Sequence, residues 1–462
     1  MPESVKVLRL GDMVLRRGGS PAQKAAQAVI SVALRLFFRR IETSRAGVVP
    51  ASGAVVFVIN HPNGLIDPGL VFAALPRRIS FLAKSTLFRL PVIGWLLRTV
   101  EALPLYRRAD AGEDLSQNLR TFEACRRLLS RGGCIALFPE GVSHNSTKLL
   151  PLKTGAARIA LGARVEGLKM VPVGLYYTSK TSFRGEALLR FGEPLDVPAV
   201  EADESGEPPR EAVRELSARA EEALLAVTLN VETEEQLDAA RKAERLFSSV
   251  YEGLNVRLPL AERFDFLRGL SAQLFARLTA AEGAEELRRR IGRHEGALAR
   301  IGIAPENLSL SRHSRWYVLR HFLLRAALLL ALLPLTVVGA VVHLPAYLVC
   351  TLLARLFPRH GVDEIAPTVK ILAAMLFMPL TWLAAAGLAY ARWGWRAALA
   401  SLPLAVLCGY VALRSLEELY DMRGWFKALV LLARRRRLFL RLLIERQALR
   451  DALGRMETHG DG

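Results

Sequence analysis

The stretch Asn60–Pro68, NHPNGLIDP, places a histidine and an aspartate close together directly after an apolar run. An imidazole beside a carboxylate is what activation of a hydroxyl requires. The ring removes the alcohol proton, while the carboxylate fixes the tautomer and stabilises the imidazolium. His61 and Asp67 are therefore a candidate catalytic pair. The same spacing also suits a hydrogen bond that only stabilises a loop, so both interpretations stay open for the pair alone.

Two further polar stretches follow along the chain. Leu137–His144, LFPEGVSH, holds Glu140 in a turn made by proline and glycine, where a carboxylate could hydrogen-bond acceptor hydroxyls or only cap the turn. Lys153 comes shortly before a glycine that opens a predicted helix, and a helix N-terminus suits a phosphate. A solvated lysine is the alternative for that position.

The elements around these residues predict the fold. Short apolar, β-branched runs at Ala54–Ile59, Cys134–Phe138 and Met170–Tyr177 are typical of buried strands, and helical stretches at Asp114–Ser130 and Gly155–Val165 lie between them. Alternating strands and helices predict an α/β domain with a mostly parallel sheet flanked by helices, which we place at residues 46–200. Polar residues end each run, where open α/β sheets carry their sites.

The segments beside this domain are predicted to be helical. Residues 21–41 have apolar side chains at helical spacing with arginines among them, so we expect an interfacial amphipathic helix within residues 1–45. A helix packed on the domain is the alternative. The acidic stretch 201–209 reads as a linker that opens a helical region at residues 201–318.

Three later runs contain no Asp, Glu, Lys or Arg, at residues 326–354, 371–391 and 397–413. A spanning helix needs about 20 apolar residues. We therefore expect a transmembrane α-helical region at residues 319–420. The first run is longer than one crossing and contains Pro334 and Pro345, so a break is expected there. A hairpin is expected to follow it, with its far tip at Arg392–Arg396, RWGWR.

The composition agrees with a membrane protein, since 52% of the residues are hydrophobic and the formal net charge is +19. Residues 421–462 are expected to carry a basic amphipathic helix over about 422–453 on anionic lipid. The arginines Arg434–Arg437 should stay cytoplasmic together with the catalytic domain of this multi-pass protein. The alternative for the apolar runs is a buried soluble core. No zinc-finger, ribonucleoprotein or basic-zipper pattern indicates a nucleic-acid partner.

Four motifs and their order along the chain resemble the glycerolipid acyltransferase family. They are NHPNGLIDP, ALPLYRR (Ala102–Arg108), FPEG (Phe138–Gly141) and VPVGL (Val171–Leu175). This family comprises glycerol-3-phosphate and 1-acylglycerol-3-phosphate acyltransferases, and the likeness covers about residues 50–200. It implies that His61 and Asp67 are catalytic. His144 is a second candidate acid/base group, for which we favour a structural or acceptor-binding role because the His61 stretch matches the family more strongly. The implied substrate-binding residues are Asn60, Lys84, Arg107, Glu140, Gly141, Ser143, His144 and Lys153.

Three departures from the usual family pattern indicate which branch of the family the sequence resembles. His61 and Asp67 are separated by one residue more than is usual. The common E-G-T-R-S is replaced by Glu140–His144, EGVSH, which lacks a phosphate-binding arginine, and Gly174 stands where proline is common. The first two departures, with L-L-P-x-K-x-G and C-terminal membrane segments, resemble the fungal-type glycerol-3-phosphate/dihydroxyacetone-phosphate acyltransferases and their bacterial relatives.

The resemblance implies a membrane-bound enzyme of phospholipid synthesis. We expect direct transfer of a fatty acyl group from acyl-CoA or acyl-carrier protein to glycerol-3-phosphate, forming lysophosphatidic acid. No covalent intermediate, metal or cofactor is required. The expected partners are membrane lipids, the glycerol-phosphate acceptor and the acyl thioester donor, and no pattern predicts the oligomeric state. The alternatives are acylation of 1-acylglycerol-3-phosphate to phosphatidic acid and a non-catalytic membrane lipid-binding protein.

Overall fold

The computed structural model describes residues 5–14, 19–107, 114, 116–180, 182–201, 203, 207–248, 259–278, 284–303, 315–356 and 362–458. Arg108 and residues 202 and 204–206 of the predicted linker lie outside these residues. Within them, nine strands form one sheet: β1 Val5–Val7, β2 Phe38–Ser44, β3 Val55–Ile59, β4 Ser80–Lys84, β5 Leu103–Leu105, β6 Cys134–Leu137, β7 Lys169–Tyr177, β8 Gly185–Phe191 and β9 Leu195–Asp196.

The α-helices of the described residues divide between two compact units. The first unit, Met1–Asn230 with Pro259–Phe264 and Phe357–Ile371, contains the sheet; the second comprises Val231–Leu258, Asp265–Leu356 and Leu372–Gly462. The helices are α1 Leu10–Val14, α2 Pro21–Phe37, α3 Ile66–Ala74, α4 Pro91–Thr99, α5 Gln117–Ser130, α6 Gly155–Gly162, α7 Arg210–Val227, α8 Glu234–Ser248, α9 Leu260–Leu278, α10 Ala284–Ile301, α11 Arg315–Ala331, α12 Leu333–Leu356, α13 Val362–Trp393, α14 Trp395–Arg434 and α15 Arg436–Thr458.

The sheet has the order β1-β2-β8-β7-β3-β6-β4-β5, with β9 beside β7. Its centre is parallel, because β3 pairs in parallel with both β6 and β7, and β4 pairs in parallel with β5 and β6. Antiparallel pairs join β1 to β2 and β7 to both β8 and β9. The predicted α/β fold with a mostly parallel sheet is confirmed, and the three predicted strands are β3, β6 and β7.

Helices cover both faces of the sheet. Successive residues of a strand point to opposite faces, and all five residues of β3 are buried. Val55, Phe57 and Ile59 face one side of the sheet and pack in a core with α2 and α3. Val56 and Val58 face the other side and pack in a second core with α5, α6 and α7. This two-sided burial explains why β3 reads as a continuous apolar run rather than as an alternating one.

The strand β7 accommodates two residues that are unusual in a central strand. Pro172 has no N–H to donate, and it falls between the residues that pair with β9 and those that pair with β8. At Gly174 a Cβ would overlap the carbonyl of Val227 at the end of α7. The close approach of α7 therefore explains the glycine at the position where the family pattern has proline.

The predicted helix over residues 21–41 is wrong at its end. Helix α2 ends at Phe37, and the next residues form β2, which pairs in parallel with β8. Phe38 and Ile41 continue the helical spacing of apolar residues, but both are fully buried as strand residues. Pairing with β8 satisfies the backbone of this segment, and that long-range contact outweighs the local periodicity.

The domain boundaries also move. The sheet takes in β1 and β2, which precede residue 46, so the first unit starts before the predicted start of the α/β domain. At the other end it extends past residue 200 to Asn230, because Leu216 and Leu224 of α7 pack in the core on one sheet face. The predicted helical region 201–318 is therefore divided between the two units.

Three helical stretches among the described residues are long and apolar enough to cross a membrane: Leu333–Leu356, Thr368–Trp393 and Trp395–Arg434. The expected break of the first apolar run occurs at Leu332, between α11 and α12, and places Pro334 in the first turn of α12, where proline needs no N–H partner. Pro345 lies inside α12. The expected turn between the later runs falls at Gly394, whose φ of 81° favours glycine.

Helices α12 and α14 of the second unit pack closely through small residues. Gly339 lies against the backbone of Cys408, and Gly409 lies against the ring of His343. The indole N–H of Trp382 donates to His343 Nε2 at 2.8 Å and links α13 to the same point. Small residues at crossings are typical of helices that associate in lipid, because they let the backbones approach.

The predicted basic helix over residues 422–453 is two helices, with a break at Arg435. The break lets α15 fold back beside the end of α14, so that Phe439 and Leu442 pack with Ala428 and Leu431 in a small core. The helical spacing of apolar residues continues on both sides of Arg434–Arg437, so the sequence pattern predicts one helix. Burial of both apolar faces favours the turn instead.

Candidate active site

The carboxyl end of β3 leads into the loop that carries His61, and α3 begins directly after this loop with Asp67 in its first turn. His61 Nδ1 lies 2.8 Å from Asp67 Oδ2. The Asp67 side chain is fully buried and that of His61 is 17% exposed. The same carboxylate oxygen accepts from the backbone N–H of Asn63 at 2.7 Å. The five residues between His61 and Asp67 therefore form a compact loop around the Asp67 carboxylate.

The second oxygen of Asp67 is bound by a residue that the sequence did not single out. The hydroxyl of Tyr177, the last residue of β7, donates to Asp67 Oδ1 at 2.6 Å. Burial, together with the charge of Asp67, raises the pKa of the Tyr177 phenol well above its ordinary value, so it stays a donor. Both carboxylate oxygens are thus satisfied inside the core. A tyrosine at the end of a buried strand was the signal available in the sequence.

The ring of His61 has a defined orientation. It stacks on Phe138 with the ring centroids 4.1 Å apart and an angle of 18° between the planes. Because Nδ1 faces Asp67, Nε2 is the nitrogen that can accept a proton from a hydroxyl. The arrangement has the geometry of a general base held by a carboxylate.

Glu140 lies beneath this loop and is engaged by the protein itself. Its Oε1 accepts from the backbone N–H of His61 at 2.8 Å, and its Oε2 accepts from the N–H of Leu150 at 3.1 Å and pairs with His144 Nε2. The side chain is completely buried. These contacts position the His61 backbone and supply the donors that a buried carboxylate needs. The contact of Glu140 with acceptor hydroxyls stays a prediction.

His144 and Asn60 also connect loops. His144 Nδ1 accepts from the N–H of Ser146 at 3.2 Å, which leaves the hydrogen on Nε2 for Glu140. The His144 N–H donates to the carbonyl of His61 at 3.2 Å. Asn60 exchanges two hydrogen bonds with the backbone of Leu175 in β7, at 2.7 and 3.2 Å. Both residues therefore join the loops around His61, and their predicted parts in substrate binding stay predictions.

The remaining predicted residues surround the turn that follows Glu140. Gly141 has a φ of +76°, and a Cβ there would overlap the amine of Lys153. Arg107 Nη1 donates to the Gly141 carbonyl at 2.5 Å. Ser143 belongs to the same turn and is half-buried. Two of the predicted phosphate-binding cations therefore meet at one glycine of this turn.

Lys84 ends β4, which lies two strands from β3 in the parallel part of the sheet. The carboxyl ends of parallel strands meet at one edge, so Lys84 is on the same edge as His61. One distant residue also reaches the loop: the N–H of Leu65 donates to Thr368 Oγ1 at 3.3 Å, near the start of α13. Sequence reasoning missed Thr368, since its contact partner is far away along the chain.

Comparison with known proteins identifies relatives of the domain that contains this site. Residues 40–176 match the sequence model of the Acyltransferase family. Glycerol-3-phosphate O-acyltransferase 2 of Saccharomyces cerevisiae is 26% identical over 282 residues, which cover 58% of this chain and 37% of that protein. An uncharacterised acyltransferase of Schizosaccharomyces pombe is 24% identical, with 69% of this chain and 60% of the relative covered.

A shorter match extends to a second type of acyltransferase. The 1-acyl-sn-glycerol-3-phosphate acyltransferase of Chlamydomonas reinhardtii is 30% identical over 158 residues, covering 34% of this chain and 45% of the relative. The chain thus spans less than two thirds of the length of each of these three relatives. All three matches concern acyltransferases, and the family model covers β3 to β6, most of β2 and β7, and the segment with His61 and Asp67. Residues 40–176 form a domain of the acyltransferase family.

Proposed function

We propose that this chain is an O-acyltransferase that moves a fatty acyl group from an acyl thioester to the first hydroxyl of glycerol-3-phosphate. The observation that carries the proposal is the contact of the partly exposed His61 with the buried Asp67 at the edge of the sheet, 2.8 Å apart, beside a turn lined by cations. The name of the S. cerevisiae relative supports glycerol-3-phosphate as acceptor. The product is lysophosphatidic acid, a precursor of phospholipids.

The proposed step is a direct transfer. His61 Nε2 removes the proton from the acceptor hydroxyl as the oxygen attacks the thioester carbonyl. A carbon–oxygen bond forms, the carbon–sulfur bond breaks, and the imidazolium returns its proton to the leaving thiolate. Asp67 stabilises the imidazolium during the transfer. Arg107 and Lys153 bind the phosphate, with Lys84 assisting from β4.

Acylation of 1-acylglycerol-3-phosphate is the second candidate, since the relative from C. reinhardtii is named for it. Purified protein in detergent, given each labelled acceptor with acyl-CoA or acyl-carrier protein, separates the two. We expect glycerol-3-phosphate to be used and the rate to fall by roughly 10²–10⁴ in His61→Ala. Exclusive use of 1-acylglycerol-3-phosphate would overturn the preferred acceptor. Transfer that survives His61→Ala would overturn the assigned base.

We also propose that the chain is a multi-pass membrane protein with the catalytic unit on the cytoplasmic side. Support comes from the three apolar helical stretches and from Arg434–Arg437 at the end of the last of them, which favour a cytoplasmic end. With the first apolar run as a broken or re-entrant pair and the later two as a hairpin, both ends lie on the cytoplasmic side. In the first unit, Val29, Val32 and Leu36 of α2 are exposed, which suits contact with a membrane surface.

Cysteine labelling tests this topology. The four native cysteines are buried and free, so a single cysteine introduced at Arg396 would be the accessible one. In sealed vesicles whose cytoplasmic face is inside, an impermeant maleimide outside should label Arg396→Cys. A cysteine placed at Ser116 in the catalytic unit should be labelled only after the vesicles are opened. Labelling of both from outside would contradict the proposed orientation.

A further inference from the structure

Lys180 lies just beyond the end of β7, on the edge of the sheet that carries His61. Its backbone is held by the catalytic loop, because Asn63 Nδ2 donates to the Lys180 carbonyl at 3.3 Å. Asn63 is itself completely buried and donates its N–H to Asp67. Since Asn63 contacts both Asp67 and Lys180, the position of Lys180 is coupled to that of the catalytic pair.

The side chain of Lys180 reaches the turn after Glu140. Its Nζ donates to the carbonyl of His144 at 3.2 Å and to Asn145 Oδ1 at 3.1 Å. Both of these acceptors are neutral oxygens. A phosphate oxygen would be a stronger partner for the ammonium, because charge-assisted hydrogen bonds are about twice as strong as neutral ones.

Three cations therefore surround one turn that contains no lysine or arginine of its own, Gly141–Asn145. Arg107 approaches Gly141 from the segment after β5, Lys153 approaches it from the residues before α6, and Lys180 approaches His144 from the end of β7. The carboxylate that directly precedes the turn, Glu140, is buried and bound by protein donors. Converging positive charges at a partly exposed turn suit an anion with several oxygens.

We infer that Lys180 binds the phosphate of the acceptor and completes the seat formed by Arg107 and Lys153. The inference rests on the proposed function. Coenzyme A also carries phosphates, and the structure favours the acceptor as the source. In glycerol-3-phosphate only three carbons separate the reacting hydroxyl from the phosphate oxygen, so its phosphate must lie near His61. Lys180 is coupled to the His61 loop through Asn63, which suits that short distance.

The kinetic test replaces Lys180 by methionine and by arginine. Lys169→Met is the matched control, because Lys169 starts the same strand at the opposite edge of the sheet and forms a surface ion pair with Asp196. Lys180→Met should raise the KM for glycerol-3-phosphate about tenfold or more, leave the KM for the acyl donor within about twofold, and leave transfer to glycerol unchanged. Lys180→Arg should retain most of the affinity, and the control should behave as wild type.

Other outcomes would overturn the inference. A raised KM for the donor alone would assign Lys180 to coenzyme A. An equal loss with glycerol and with glycerol-3-phosphate would mean that Lys180 only positions the turn. Calorimetric binding of glycerol-3-phosphate to His61→Ala protein, with and without Lys180→Met, separates this inference from the proposed reaction. Weaker binding in the double variant supports Lys180 even if the reaction differs, and unchanged binding refutes it.

Discussion

Tyr177 donates its hydroxyl hydrogen to Asp67 across 2.6 Å, although 110 residues separate the two along the chain. The carboxylate thus receives one hydrogen bond from the strand β7 and faces His61 with its other oxygen. The buried carboxylate of Asp67 therefore joins strand β7 to the loop that carries His61. Catalytic geometry and the stability of the first unit therefore depend on the same contact.

Tyr177→Phe should lower both activity and stability. The substitution removes the donor and leaves Asp67 Oδ1 buried without a partner, which costs about 1–3 kcal/mol. We expect the free energy of unfolding to fall by that amount and kcat to fall severalfold, with the KM of each substrate little changed. Tyr176→Phe is the matched control, because that neighbouring ring packs against Phe264 instead. Equal losses in the two variants would contradict a specific role for Tyr177.

Asp67→Asn should reduce kcat by roughly 10²-fold or more. The amide keeps the size of the side chain, but it loses the charge that stabilises the imidazolium and fixes the tautomer. Steady-state kinetics together with a circular dichroism spectrum would check this. Since the predicted loss is in the chemical step, an effect confined to the KM of the acceptor would count against it.

Glu140→Gln distinguishes the two roles considered for this residue. The structure predicts a loss of kcat and of thermal stability, because the amide nitrogen would face donors of Leu150, His144 or His61 where oxygen now accepts. Contact with acceptor hydroxyls predicts instead a raised KM for glycerol-3-phosphate with an unchanged melting temperature. Kinetics and thermal unfolding of the same preparation decide between them.

The second unit should become less stable as the pH falls, and His294 is a cause. Burial lowers the pKa of His294, with Glu445 raising it and Arg446 lowering it. Neither ring nitrogen has a hydrogen-bond partner among the described residues. The unfolded chain, with a pKa of about 6.5, then binds more protons than the folded one. Stability is complete above that value and is lost as the pH falls from about 6.5 toward the lowered pKa.

Thermal unfolding in detergent at about pH 7.5 and pH 5.5 would measure this dependence. His294→Leu removes the titrating group and keeps the site apolar, so its melting temperature should change less between the two conditions than that of wild type. His343→Leu is the comparison variant for loss of a histidine from the second unit. His343 lies among the apolar helices and accepts a hydrogen bond from Trp382. An undiminished pH dependence in His294→Leu would rule out His294 as the cause.

The sequence by itself determined the elements and residues whose signals are local. The apolar runs of β3, β6 and β7 predict a covered, mostly parallel sheet, since burial on both faces leaves few polar positions. His61 and Glu140 could be located because each lies just after such a run, and Asp67 because it lies six residues after His61. The apolar helices were equally readable, because lipid demands a long uncharged stretch.

Only the tertiary structure decided which residues meet across the chain. Phe38 and Ile41 keep a helical spacing, yet pairing with β8 makes them part of a strand. Glu140 holds the backbone of His61, Tyr177 holds Asp67, and Lys180 reaches a turn 36 residues away. Apolar periodicity records burial along one element, whereas a hydrogen bond between loops depends on how the strands are ordered in the sheet. The residue pattern therefore predicted which edge of the sheet contains the candidate site. The hydrogen-bond partners of the residues at that edge depend on the packing of the strands and loops.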